Sequence, residues 1–205
     1  MSRHIALATL SACAALSLAG QGLAQATVDP GSVKSGTYAL ETSHARVVFS
    51  LTHMGFSTWY GDFSGSTGTL NIDPKVPGAA KLDITIPTGQ VTTTNAIVDR
   101  ELKSPGWFDA EKYPAITFHS TSVVSTGPTT AKVTGDLTFH GVTKPVDLDV
   151  TFKGAGTNPL SRAYTVGFDA RGSLKRSDFG VSKYVPMVGD QVELMISAPF
   201  ERKGD

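Results

Sequence analysis

The sequence predicts an all-β chain whose antiparallel strands close into a barrel of about eight strands or stack as a two-sheet sandwich. Three observations predict it. Short β-branched or aromatic runs recur, each closed by Gly, Pro, Asn or Asp. Several runs alternate strictly between apolar and polar residues, the period of a strand with one face buried. The 205 residues include 21 glycines and 11 prolines, too many for a chain made mostly of long helices. No alternation of strands with helical segments appears, so a doubly wound α/β fold is not expected.

In chain order, residues 1–26 read as a secretory signal peptide. Arg3 and His4 precede the apolar stretch Ile5 to Ala19, and small residues lead to Ala24-Gln25-Ala26, an A-x-A cleavage site. The expected product is an exported chain cut after Ala26. The single cysteine, Cys13, lies in this segment, where Leu10-Ser11-Ala12-Cys13 imitates a lipoprotein cleavage box, although the apolar run continues past it. The mature chain then has no thiol, hence no disulfide and no thiolate ligand. Residues 27–36 read as a flexible lead-in.

The strand runs follow. Ala45 to Met54 places Val47, Phe49 and Leu51 on one face; Trp59 to Phe63 and Ser66 to Ile72 come next, punctuated by Gly61, Gly65 and Asp73-Pro74. Lys81 to Ile86 alternates cleanly, with Leu82, Ile84 and Ile86 opposite Asp83 and Thr85. Later runs are Ala115 to Ser125, Ala131 to Phe139, Val146 to Lys153, Ala163 to Leu174 and Val192 to Phe200. One short helix interrupts them, capped by Thr94 or Asn95, running to about Lys103 and stopped by Pro105-Gly106. The bulky pair Trp107-Phe108 on the next connection reads as a plug on the end of the sheet; the alternative is that it frames the mouth of a cavity.

Composition excludes more chemistry than it suggests. The formal net charge is zero, with 18 basic and 18 acidic residues, which argues against nucleic acid as a partner. The histidines beyond the leader are His44, His53, His119 and His140, and none forms a helical zinc pair. His44 and His53 are an odd number of residues apart and would point to opposite faces of one regular strand. Neither G-x-S-x-G nor S-x-x-K occurs, and the Gly-rich Gly61-Asp62-Phe63-Ser64-Gly65 lies between strands, without the helix a phosphate cradle needs. Asp147 and Asp149 alternate with apolar residues and read as solvent-facing. No catalytic residue and no metal site is assigned, and the chain is not expected to be an enzyme.

Several stretches nevertheless resemble one family. Tyr38-Ala39-Leu40-Glu41-Thr42-Ser43-His44, His53-Met54-Gly55-Phe56-Ser57, and Asp99-Arg100-Glu101-Leu102-Lys103-Ser104 with Trp107-Phe108-Asp109 and Tyr113-Pro114-Ala115-Ile116-Thr117-Phe118 occur in order. Gly135-Asp136-Leu137-Thr138, His140-Gly141-Val142-Thr143-Lys144-Pro145-Val146 and Lys175-Arg176-Ser177-Asp178-Phe179-Gly180 complete the set. Together they resemble the YceI-like family of periplasmic polyisoprenoid-binding proteins across nearly the whole mature chain. One position departs: many members carry histidine before the leucine that Leu102 matches, and this chain has Glu101.

The resemblance implies that residues 37–203 form an extended, lipocalin-like barrel holding an isoprenoid quinone, a polyprenyl or a similar long amphiphile in the periplasm. It implies carriage or sequestration, with no known reaction, and no cofactor other than that bound lipid. The expected lining is Val47, Phe49, Leu51, Ile84, Ile86, Phe118, Val166, Phe168, Leu194 and Ile196. Near the head-group end we expect His44, His53, Arg100, Trp107, Arg176 and Asp178; Arg176 and Asp178 have a rival role as a structural ion pair or turn network holding the barrel's last corner. Transient membrane contact for lipid exchange and a homodimer are further expectations. The alternatives are a small hydrolase or isomerase using a cavity histidine, and an accessory module of a membrane redox complex.

Overall fold

Alternating apolar residues make strands, and closing the sheet lets every apolar face turn inward at once. The computed structural model describes residues 26–204; the expected leader up to Gln25, with Cys13, lies outside the described residues. Among the described residues, eleven strands form one sheet: β1 (Gly36–Leu40), β2 (Arg46–His53), β3 (Ser57–Phe63), β4 (Thr67–Ile72), β5 (Lys81–Pro87), β6 (Val91–Thr92), β7 (Ala115–Ser125), β8 (Thr130–Phe139), β9 (Val142–Thr157), β10 (Tyr164–Lys175) and β11 (Gln191–Arg202). The α-helix α1 (Ala96–Lys103) sits between β6 and β7.

The sheet closes because β1 pairs with β4 on one edge and with β11 on the other. Going round, the order is β1, β4, β5, β7, β8, β9, β10, β11 and back to β1, all antiparallel. The architecture is therefore an eight-stranded closed barrel rather than a two-sheet sandwich. Three of the eight staves are broken. β11 pairs through Phe200 with Leu40 of β1 and through Leu194 with Phe49 of β2, so β1 and β2 form one interrupted stave. β3 with β4, and β5 with β6, are interrupted in the same way. Each stave then pairs with its sequence neighbour; most connections are short, and the two long ones, 93–114 and 176–190, lie at the same end. Closure also leaves few unpaired strand edges to recruit another chain.

Inward positions follow the period of two: Val146, Leu148 and Phe152 of β9 are buried, whereas Asp147, Asp149 and Thr151 are exposed. Two inward glycines make room for rings. A Cβ on Gly61 would lie 2.1 Å from the Phe49 ring, and one on Gly135 would lie 2.3 Å from the Phe118 ring. Each ring thus lies against bare backbone, in space that a side chain at the glycine would otherwise fill.

The two ends of the barrel differ. At one end, α1 and the connections 104–114 and 176–190 cover the opening. Asn95 caps α1, its Oδ1 accepting from the Ile97 and Val98 amides at 3.0 and 3.4 Å. Asp99 ties the helix to the sheet by accepting from the Thr93 amide and hydroxyl at 2.6 and 2.7 Å. Leu102, Trp107 and Phe108 are buried in the main core, as the plug reading expects.

At the other end, the connections 73–80, 126–129 and 158–163 surround the opening together with residues 26–35. The segment 27–36, expected as a flexible lead-in, makes contacts with the barrel. Thr27 exchanges hydrogen bonds of 2.8 and 2.9 Å with Ala155, and Val33 is buried in a second cluster with Tyr38, Tyr164 and Phe200.

Candidate functional site

The barrel is hollow. A cavity of about 510 Å³ runs along its interior, within the range of roughly 300–1,000 Å³ typical of small-molecule sites. Its wall is mostly aliphatic and aromatic because most inward positions of the staves are. β2 contributes Val47, Phe49 and Leu51; β5 contributes Ile84 and Ile86; β7 contributes Phe118; β10 contributes Phe168; β11 contributes Leu194 and Ile196. Of the ten residues expected to line the interior, Val166 alone is not on the wall. It is fully buried in the second cluster, beside Tyr38 and Tyr164.

Sequence reasoning missed much of β8 and β9. Val133, Leu137, Val146, Leu148 and Val150 all face the cavity. The signal was available, since Asp147 and Asp149 were read as solvent-facing and their apolar neighbours must then point inward.

At the helix-covered end the cavity stops against Leu102, Trp107, Phe108, Phe139 and Arg176, all buried. Arg176 is only 3% exposed and is held by the 181–189 connection. Its guanidinium donates to the carbonyls of Val181, Val188 and Gly189 at 2.8, 2.7 and 2.8 Å. It also lies 5.2 Å from the Trp107 ring centroid, a cation–π distance. Burial pushes the guanidinium below its usual value, and the nearby Asp190 partly opposes this. Arg176 thus forms the turn network at the last corner while also standing on the cavity wall. Asp178 does not join it: that carboxylate is exposed and 4.0 Å from Lys144.

Asp190 completes the corner by accepting from the Ser177 amide and hydroxyl at 2.9 and 2.7 Å. Burial raises its carboxyl, but the Ser177 hydrogen bonds, with Arg176 and Lys175, outweigh that and hold it below the usual carboxylate range. A depressed carboxyl stabilises the fold above its unfolded pKa of about 3.9, and that contribution is lost as pH falls through the folded value. Stability should therefore drop below about pH 4, and Asp190→Asn should flatten that limb. Urea midpoints measured against pH decide it; parallel profiles for the two proteins would count against the assignment.

The other expected head-group residues do not converge. His44 lies exposed in the β1–β2 turn, bonded to Glu41. His53 ends β2, with its ring 5.7 Å from that of Trp59, and Arg100 is on the exposed face of α1. None of these three touches the cavity wall, so only Trp107 and Arg176 of the six are brought together there. Glu101 is explained locally: it accepts from Trp107 Nε1 and from Lys183 Nζ, each at 3.0 Å. The Lys183 bond, followed by the Trp107 bond, holds its carboxyl below the usual range. Ser66 is a further polar group on the wall, with a buried hydroxyl that has no hydrogen-bond partner among the described residues. Among the described residues no three His, Cys, Asp or Glu side chains gather into a metal site.

At the opposite end the wall passes into exposed loop residues, including Gly31, Pro77, Gly127 and Pro128, so the cavity reaches the surface there. In the sequence two of these segments read only as the turn Asp73-Pro74 and a flexible lead-in, with nothing to mark a cavity mouth.

Comparison with known proteins matches the YceI-like domain to residues 38–200, almost the entire barrel. The chain belongs to the YceI-like family. One YceI-like relative, the "UPF0312 protein" of Pseudomonas syringae pv. syringae, is 39% identical over 167 residues, covering 80% of this chain and 86% of the relative. Among solved structures, BcnA of Burkholderia cenocepacia superposes with a TM-score of 0.71 at 24% identity, covering 78% of this chain and 98% of that one. A polyisoprenoid binding domain from Saccharophagus degradans, implicated in plant cell wall breakdown, superposes with a TM-score of 0.64 at 13% identity, covering 82% and 99%. At these identities the two structures speak for the YceI-like fold alone.

Proposed function

We propose that this chain is a periplasmic carrier that holds an isoprenoid, such as a quinone or polyprenyl, or a similar long amphiphile inside the barrel. The observation that carries the reading is the hollow, apolar interior of a closed eight-stranded wall. Burying a hydrocarbon chain there is favourable by roughly 25 cal/mol per Å² removed from water and needs no directional groups. Eight-stranded barrels of this kind are the size that encloses one small ligand. A polyisoprenoid binding domain with the same fold, in Saccharophagus degradans, supports the choice of ligand class. The leader Met1 to Ala26 supports export, and the absence of nucleophile motifs from the sequence supports binding over catalysis.

Within the cavity, the ten aliphatic and aromatic positions named for the lining, Val166 excepted, are proposed to contact the tail. Trp107, Arg176 and Ser66 are proposed to meet polar atoms of the ligand. Orientation would then be set by a few polar groups in an otherwise indifferent wall.

Phe118→Asp tests the assignment. A carboxyl placed on the wall gains solvation only if water replaces the ligand tail, so uptake of a dispersed isoprenol should fall at least tenfold. Binding is read by fluorescence titration, and folding by circular dichroism. A folded variant with unchanged uptake would remove Phe118 from the lining.

A further inference from the structure

The rim of the open mouth has a composition of its own. The β4–β5 connection bears Val76, 55% exposed, and the exposed Pro77, Gly78 and Ala79, and it packs on the end of β7. There Val124 is 56% exposed, and the uncharged turn 126–129 continues the rim through Gly127 and Pro128. Lys75 and Lys81 flank the apolar stretch, and neither is in an ion pair among the described residues. No acidic residue occurs in 74–82 or 121–131.

Three other charged groups at this end, Asp29, Asp73 and Lys34, have partners nearby. Asp29 accepts from the Gly31 amide at 2.9 Å, and Asp73 accepts from the Lys75 amide at 3.0 Å and from Ser35 Oγ at 3.1 Å. Lys34 lies 4.5 Å over the Tyr164 ring. An apolar rim with flanking lysines, continuous with an apolar cavity, is what a lipid surface would complement.

Resting on the carrier reading above, we propose that this rim docks the open mouth on an anionic bilayer. Val76 and Val124 enter the boundary between head groups and acyl chains, and Lys75 and Lys81 meet lipid phosphates. The mouth then opens onto the membrane, and a hydrocarbon tail passes between bilayer and barrel without crossing water, where its exposure is costly. The opposite end exposes larger apolar residues, with Phe56 at 90% and Met187 at 57%. It gives the cargo no path, because Trp107, Phe108 and Arg176 close the cavity beneath it.

The test is co-sedimentation of the mature chain with vesicles of phosphatidylcholine alone or mixed with phosphatidylglycerol. Uptake of a dispersed fluorescent isoprenol without vesicles is measured in parallel. The wild type should bind the mixed vesicles. The double variant Val76→Asp/Val124→Asp, and separately Lys75→Glu/Lys81→Glu, should bind them more than about tenfold more weakly, since each lysine near an anionic surface contributes roughly a fivefold effect. Uptake in solution and the effect of Phe56→Asp should both stay within about twofold of wild type.

Loss of binding in Phe56→Asp with none in the rim variants would overturn the proposal, as would a wild type that ignores anionic vesicles. Self-association through Val76 and Val124 without vesicle binding would assign the rim to a second copy and also overturn it. Retained uptake with no vesicle binding rejects the docking surface alone; vesicle binding with no uptake rejects the carrier reading and leaves the rim standing.

Discussion

Replacing Arg176 by leucine is expected to cost about 3–5 kcal/mol of stability, the scale for removing one partner from a buried charged network. Three carbonyls, those of Val181, Val188 and Gly189, lose their donor at once, in a corner where water cannot readily replace it. The same side chain supports the Trp107 ring from one side, so the plug over the closed end loosens with it. For a chain of this size each kcal/mol moves the thermal midpoint by roughly 2–4 °C, so a fall of roughly 6–20 °C should be seen. Arg176→Lys should recover only a minor part, because a single ammonium does not reproduce the planar fork that spans three acceptors. A leucine variant melting within about 2 °C of wild type would contradict the network.

Ile196→Trp separates a hollow barrel from a filled one. In a packed interior the added ring would force neighbours off their rotamers and cost about 1–3 kcal/mol. On this cavity wall it projects into open volume, so the expected destabilisation is below about 1 kcal/mol. The ligand load should fall to roughly a tenth or less, because the ring occupies space the hydrocarbon tail needs. Chemical denaturation and quantitation of bound lipid on the same preparation provide both readouts. A strongly destabilised protein that still carries its full load would mean that Ile196 packs in a solid core and that the ligand lies elsewhere.

These two positions also mark how far the sequence could be read. Ile196 belongs to the clean alternation Val192, Leu194, Ile196, Ala198 and Phe200, which predicts both the strand and its inward face. The same alternation placed nine of the ten expected wall residues on the cavity. Period two, however, specifies which face is apolar and is silent on what fills the space behind it, so barrel and sandwich read alike until β1 is seen to pair with both β4 and β11.

The broken staves were illegible for a related reason. β6 is only two residues long and sits beside β3 because of tertiary pairing at Asp62 and Phe63, with no local pattern to announce it. Arg176 shows the limit for the site. Its sequence neighbours suggested a partnership with Asp178, whereas its acceptors are backbone carbonyls on the 181–189 connection, which side-chain identity cannot reveal. His44, His53 and Arg100 were expected near a head group from their place in the family's motifs. The fold puts each outside the wall, so a motif marks a segment more reliably than it marks a contact.

The most direct test of the central claim is native mass spectrometry of the protein purified from its native cells without detergent, followed by organic extraction of whatever it carries. A stoichiometric mass excess that extracts as an isoprenoid or another long-chain amphiphile, and that is absent from Ile196→Trp, is the predicted result. A clean apo mass that persists after incubation with dispersed isoprenoids would contradict it.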